Sequence, residues 1–335
     1  MDGLRAIEEK TMTEPVICLG ECLVDRLFEV GETPEAGSTQ GTDYPGGAPA
    51  NVAAAIAKLG TPTQLISALG QDDLGDWLIQ VLQEQGVACQ IQRVADWPTR
   101  TVLVQRDETG DRTFIGFSAP DPAAFADAHL APEWIDAVDF ARVKYLVMGT
   151  LGLAYPTTAS AMERARNKAQ QAGAKIVIDL NWRPVFWPDE AIAPQKIRDF
   201  LENADLLKLS KEEALWLLDT DSAAKICQQM PNFEAVLLTD GGHGSTCATK
   251  QHSVSLPAFG VNSIDTTGAG DAFLAGILHQ LCQRGWESLQ STGTLEEMLR
   301  YASAVGALTT LKPGAIAAQP TPQEVDAFLH HQAAA

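Results

Sequence analysis

Apolar residues recur along this chain in two alternating rhythms. Short apolar runs bounded by Gly, Pro or Asp read as strands at 16–20, 63–69, 143–148, 175–180, 206–209 and 236–239. Between them, apolar positions three and four residues apart predict helices over 72–85, 157–172 and 295–308, with a last one over 321–329 that has Pro322 in its first turn. Strand alternating with helix predicts an α/β protein whose central sheet is mainly parallel and flanked by helices. The rhythm breaks between Cys89 and Phe117. There 101–104 and 112–115 alternate around a Thr109-Gly110 turn signal, the pattern of a hairpin. Alone it reads as an ordinary edge hairpin. Together with the extended residues 22–45 it would make a small β-layer over the carboxyl edge of the sheet, a lid able to exclude water. Residues 1–14 are polar and aperiodic, and read as a flexible extension.

Two glycine turns open helices. After Gly268, Ala269 and Gly270, the residues Phe273, Leu274, Ile277, Leu278, Leu281 and Cys282 fall at helical spacing, so a helix starts within 268–271 and runs to about Arg284. Its first N–H groups lack partners, its dipole favours an anion, and glycine lets backbone approach a phosphate. Asp271 then stands where phosphate would arrive, as a base or merely as a helix cap. Gly46 and Gly47 precede a second such helix, with Val52, Ala55, Ile56 and Leu59 apolar and Gly60 ending it. Asn51 in its first turns is placed to bond a hydroxyl or phosphate, or its own backbone. Strand ends carry the other polar candidates: Glu21 and Asp25 after the first strand, Asn181 and Arg183 after 175–180. In open α/β sheets that edge faces the ligand crevice. Taken singly, Asp25 reads more readily as a turn residue, and Arg183 equally well as half of a surface ion pair. Ser210 with Glu213 is a capping box that needs no function. Gly241, Gly242 and Gly244 suit either ligand approach or a plain hairpin.

Composition narrows the classes. The chain has 335 residues and 24 Lys plus Arg against 43 Asp plus Glu, a formal net charge of −19, which argues against nucleic acid and anionic membrane surfaces as partners. An anionic substrate would need a local positive field. The six cysteines show no zinc spacing and read as reduced thiols in a cytoplasmic protein, and no apolar run approaches the roughly 18 residues of a membrane span. The six histidines form no metal pattern, and the Walker loop, the dinucleotide fingerprint and a Ser-His-Asp spacing are all lacking from the sequence. Phosphate handling falls to the glycine turns.

The stretches Gly46-Gly47-Ala48-Pro49-Ala50-Asn51-Val52-Ala53 and Asp265-Thr266-Thr267-Gly268-Ala269-Gly270-Asp271-Ala272-Phe273 resemble the paired signatures of the ribokinase-like (PfkB) carbohydrate kinases. The similarity runs from about Val16 to Leu329. Pro49, the run Asp179-Leu180-Asn181-Trp182-Arg183 and Trp187-Pro188 are most similar to the fructokinases of that family. The resemblance implies a three-layer ribokinase-like fold in one kinase domain over 15–330, with lid segments at about 22–45 and 89–118 and a tail at 331–335. It implies ATP plus sugar giving ADP plus sugar phosphate, with Asp271 as base and the N–H groups of Gly268, Ala269 and Gly270 holding charge on the moving phosphoryl. Asp25, Gly46, Gly47 and Asn51 match sugar-binding positions, with Arg100 and Arg183 as cationic contacts. Asn181, Lys208, Glu213, Thr239, Gly241, Gly244, Thr266 and Ser303 match the nucleotide side together with Gly268 and Gly270. Glu213 would meet magnesium through water. Asp265 and Thr267 resemble the start of a monovalent-cation loop for K+, completed from 312–318. The lid is a natural homodimer surface in this family.

The departures in the lid and near 148–150 bear on the acceptor, and those at Ser210 and Ala317-Ala318 on the cation requirement. Fructokinases often carry Arg in the lid where this chain has Phe114-Ile115-Gly116-Phe117-Ser118, which leaves that contact either missing or supplied by Arg100 or Arg112. Ser210 replaces the family's Asn before the acidic pair, Ala317-Ala318 stands where a small polar residue is common, and the Glu that ribokinases place near 148–150 is missing. Fructose is the expected acceptor. Ribose, 2-keto-3-deoxygluconate and a nucleoside are the alternatives, and a noncatalytic regulatory protein is the alternative of another class.

Overall fold

The computed structural model describes residues 16–28, 41–106 and 112–334. Its strands are β1 (Val16–Leu19), β2 (Leu23–Phe28), β3 (Thr42–Gly46), β4 (Thr63–Gly70), β5 (Ala88–Val94), β6 (Thr101–Arg106), β7 (Arg112–Phe117), β8 (Tyr145–Met148), β9 (Lys175–Asp179), β10 (Leu206–Ser210), β11 (Ala235–Thr239), β12 (Ser245–Thr249) and β13 (Ser253–Leu256). The helices are α1 (Ala48–Lys58), α2 (Asp73–Glu84), α3 (Pro156–Gln171), α4 (Ala193–Leu201), α5 (Lys211–Leu218), α6 (Ala223–Gln229), α7 (Ala269–Arg284), α8 (Thr292–Thr309) and α9 (Pro322–Ala334).

The main sheet runs β13-β12-β11-β10-β9-β8-β1-β4-β5, parallel from β11 to β5, with β12 and β13 antiparallel at one edge. Its central strands are apolar on both faces because both are covered. In β1 the alternation sends Ile17 and Leu19 into a core with α3 and α4, and Val16 and Cys18 into a core with α1, α7 and α8. The strand order reverses at β1: the chain moves outward to β4 and β5, then returns to add β8 on the other side. Crevices for ligands form at the carboxyl ends of strands flanking such a switch.

The second sheet, β3-β2-β6-β7, joins two distant pieces of sequence through a parallel β2·β6 pairing, with antiparallel hairpin partners outside. This is the expected second, small sheet, with one difference. The segment expected to begin at Cys89 starts too early, since β5 pairs in parallel with β4 and extends the main sheet. Residues 1–14, the centre of the first lid segment and the Thr109-Gly110 turn lie outside the described residues. The expected tail at 331–335 is helical through Ala334, because α9 continues past Leu329. The helices α4 and α6 and the β12·β13 hairpin are additions. Among the described residues no helix is long and apolar enough to cross a membrane.

Candidate active site

After β1 the chain passes through Gly20 and Glu21 into β2, where Asp25 stands opposite Tyr44 of β3 and Val102 of β6. A Cβ on Gly46 would lie 2.5 Å from Asp25 Oδ2, so bare backbone there is what leaves room for the carboxylate. Gly47 caps α1 at φ +99°, and a Cβ on it would come within 2.5 Å of the Glu21 carbonyl oxygen. Only glycine satisfies both demands. One turn on, Asn51 is buried; its Nδ2 donates to Asp271 Oδ2 at 2.8 Å, and its Oδ1 is buried with no partner among the described residues. The two glycine-led helices therefore meet through their polar residues.

At α7, Gly268 takes φ +78°, and a Cβ on it would lie 2.6 Å from Ala315 Cβ. Of the N–H groups at this turn, that of Ala269 donates to the Thr266 carbonyl at 3.2 Å, and the other first-turn donors make an anion site. A Cβ on Gly270 would sit 3.0 Å from Lys208 Nζ, which puts an ammonium against the same turn. Lys208 and Asp179 pair directly across neighbouring strands, Nζ lying 2.9 and 3.0 Å from the two carboxylate oxygens. Burial opposes the Lys208 charge, but Asp179, Glu213 and Asp271 outweigh it and raise the Lys208 pKa. Burial lifts Asp179 to about 7 against the pull of Lys208. For Asp271 burial again dominates and raises its pKa, while Lys208, the Asn51 hydrogen bond and Arg183 work downward. A half-buried carboxyl whose pKa is raised beside an anion site is the arrangement of a general base.

These groups face one cleft of about 1000 Å³. It gathers Asp25, Gly47 and Asn51 at one end, and Thr239, Gly241, Gly244 and Ser303 at the other. Asn181, Arg183, Lys208, Glu213, Thr266, Thr267 and the 268–271 turn lie between them. Asn181 holds φ +43°, a left-handed conformation that Asn tolerates better than most residues. Glu213 closes the capping box on α5: its Oε2 accepts from Ser210 N–H at 2.7 Å and its Oε1 from Trp182 N–H at 2.6 Å, tying α5 to the Arg183 loop. Asp265 lies behind the turn; Oδ1 accepts from Thr267 N–H and Oγ1–H, and Oδ2 from Gly314 N–H at 2.8 Å. This bond brings Asp265 against Gly314 of the 312–318 loop.

Arg100 is different. It was expected at the sugar, yet it is fully buried beneath the lid and does not line the cleft. Its guanidinium grips Asp127 with two hydrogen bonds of 2.7 and 2.9 Å and lies among the rings of Phe117, Phe125, Tyr155 and Phe186. An isolated Arg after a Pro-Thr gives no hint of this, because Asp127 is 27 residues away. The side chain of Arg112 lies outside the described residues. Asp179 was missed as a site group, although a charge ending an otherwise apolar central strand needs a partner. Glu21, buried and lining the cleft, was noticed only by position.

An open sheet with a cleft at its switch point, an anion-binding helix start and a half-buried aspartate beside it describes a phosphotransferase acting on a hydroxyl. The pfkB family carbohydrate kinase model matches residues 13–322, and the chain belongs to that family. It is 34% identical over 322 residues to probable fructokinase-3 of Arabidopsis thaliana, covering 95% of this chain and 92% of that protein. A fructokinase from Xylella fastidiosa with bound ATP superposes with a TM-score of 0.86 at 30% identity, over 96% of this chain and 99% of that one. A fructokinase double mutant from Vibrio cholerae O395, in fructose, ADP and potassium ion bound form, gives 0.81 at 28% identity, over 95% and 99%. The chain is an enzyme of the sugar-phosphorylating type, with the ribokinase-like architecture of these neighbours.

Proposed function

We propose that this protein is a fructokinase that moves the γ-phosphoryl group of ATP to the 6-hydroxyl of D-fructose, giving fructose 6-phosphate and ADP. The relatives named above support the substrate. The observation that carries the chemistry is the Asp271 carboxyl, held by Asn51 between Asp25 and the 268–270 turn. Asp25 and the free Oδ1 of Asn51 accept hydrogen bonds from acceptor hydroxyls. Asp271 takes the proton of the attacking hydroxyl as its oxygen bonds to phosphorus and the bond to the ADP oxygen breaks. The N–H groups of Gly268 and Gly270, with Lys208 and Arg183, stabilise the negative charge on the phosphoryl in transit, while the Ala269 N–H, expected to share in this, is given to the Thr266 carbonyl. Thr239, Gly241, Gly244, Thr266 and Ser303 border the nucleotide.

Magnesium, when bound with the nucleotide, neutralises charge on its phosphates. Glu213 fits a water-held ion rather than direct ligation, since both its oxygens already accept backbone N–H groups. Asp265, Thr267 and the 312–318 loop are the residues that would shape a K+ site. Six free thiols suit a reducing, cytoplasmic setting. The lid offers half-exposed Phe114 and Ile115 as a surface for a second copy.

The test is ADP release from the purified protein with ATP, magnesium and, in turn, fructose, ribose, 2-keto-3-deoxygluconate and fructose 6-phosphate. Turnover highest with fructose is the expected result. Turnover with another acceptor and none with fructose overturns the substrate, and thermal protection by ATP without any product overturns the enzyme reading.

A further inference from the structure

We propose that Glu21 is a specificity-determining residue of the acceptor site, its carboxyl donating a hydrogen bond to a sugar hydroxyl beside Asp25 and Asn51. This rests on the sugar-kinase reading. Glu21 directly follows the β1 turn and borders Gly149, which follows β8; a Cβ on Gly149 would stand 3.9 Å from Glu21 Oε2. It therefore occupies the strand-order switch itself, in the wall of the cleft beside Leu23, Asp25 and Gly47.

The surroundings decide its protonation. Glu21 is 5% exposed, and among the described residues it has no basic partner. Its Oε1 accepts from Ala48 N–H at 3.1 Å, and its carboxyl also accepts from its own N–H. The other titratable groups that act on it are acidic, Asp127 and Asp271, with the Tyr155 hydroxyl and the Cys22 thiol nearby. Burial, opposed by those two N–H bonds, carries its pKa to about 8. At neutral pH Glu21 is a neutral acid with one proton to give. Of the two hydrogens on Asn51 Nδ2, one is already given to Asp271, so beside the acceptor Oδ1 and the Asp25 carboxylate a single side-chain amide hydrogen is left to donate there. A sugar hydroxyl both donates and accepts, so a neutral carboxyl completes what the anionic groups leave unmet. If Glu21 served only to cap α1, its ionised form would do so better, and sugar affinity would not follow its titration.

The experiment measures kcat and KM for sugar and for ATP from about pH 6 to about pH 9.5 on the wild type, Glu21→Gln and Glu21→Ala, alongside Tm. If only the neutral form binds, the wild-type sugar KM rises about tenfold by one unit above the titration near 8. Glu21→Gln, which keeps a neutral donor, raises the neutral-pH sugar KM by about threefold and flattens the alkaline rise. Glu21→Ala raises it by about five- to a hundredfold with the ATP KM unmoved. The inference is overturned if fructose turns over yet neither variant moves the sugar KM, or if the alkaline rise persists in Glu21→Gln, even where Glu21→Ala fails to fold. Absence of turnover with every sugar of the panel overturns the kinase reading and this inference with it.

Discussion

Replacing Asp271 by Asn keeps the size and the hydrogen-bonding partner of the side chain and removes only its basicity. Asn51 Nδ2 still finds an oxygen at the place of Asp271 Oδ2, so α1 and α7 stay joined. What goes is the acceptor for the sugar proton. A positioned base is worth about 10²–10⁴ in rate, or about 2.7–5.5 kcal/mol of barrier at about 1.36 kcal/mol per tenfold. The whole loss should fall in kcat, with sugar and ATP affinities changed by less than about threefold, since Asp25, Gly47 and the nucleotide residues are untouched. Stability should move the other way. The folded protein raises the Asp271 pKa, above the roughly 3.9 of the unfolded chain. The group therefore subtracts stability once pH exceeds about 3.9, and the deficit grows until the folded pKa is passed. Asp271→Asn removes that deficit, so its Tm at neutral pH should equal or exceed the wild type. For the same reason wild-type kcat should fall as pH is lowered through the raised Asp271 pKa. ADP release by a coupled assay and melting by scanning fluorimetry measure both. Turnover within tenfold of wild type, or a loss of activity matched by a loss of Tm, would refute the role.

Arg100→Leu should behave as a stability mutation. It leaves Asp127 buried and unpaired at about 3–5 kcal/mol, lowering Tm by several degrees with the sugar KM within about twofold; a tenfold rise in that KM at unchanged Tm would return Arg100 to the sugar. Lys208→Met removes the cation at Gly270 and should cost about 10²–10³ in kcat, with direct binding of the sugar little changed by calorimetry. Gly268→Ala forces a Cβ against Ala315 at φ +78° and should cost about 1–2 kcal/mol of stability together with most of the turnover; normal activity would show that the turn can shift without harm.

Much of the fold was legible because its strands and helices are amphipathic or fully buried at their proper periods. Strands at 63–69 and 206–209 and the 268–284 helix reappear almost residue for residue as β4, β10 and α7. The hairpin of β12 and β13 was hidden by its brevity, since β13 alternates over only Ser253–Leu256 and the adjacent buried pair Cys247 and Ala248 interrupts the alternation of β12. The helix α6 is only Ala223–Gln229, too short for a period to stand out. At the site, glycine turns and strand-end carboxylates announced themselves because few other roles suit them. Arg100 misled because its partner, four surrounding rings and depth are properties of the folded chain. The charge of Lys208 was visible, but that it aims at Gly270 and is steadied by Asp179 depends on the register between β9 and β10.

The hydrogen bond between Asn51 and Asp271 spans 220 positions of sequence, and that distance has a kinetic consequence. Helices such as α3 close through local bonds, whereas the cleft requires α1 to find α7 after β1 has been flanked on both sides. Closing so long a loop comes late, when most of the chain is already ordered. During refolding from denaturant, helical ellipticity should return well before catalytic activity, and a variant weakened at this contact should lengthen that lag.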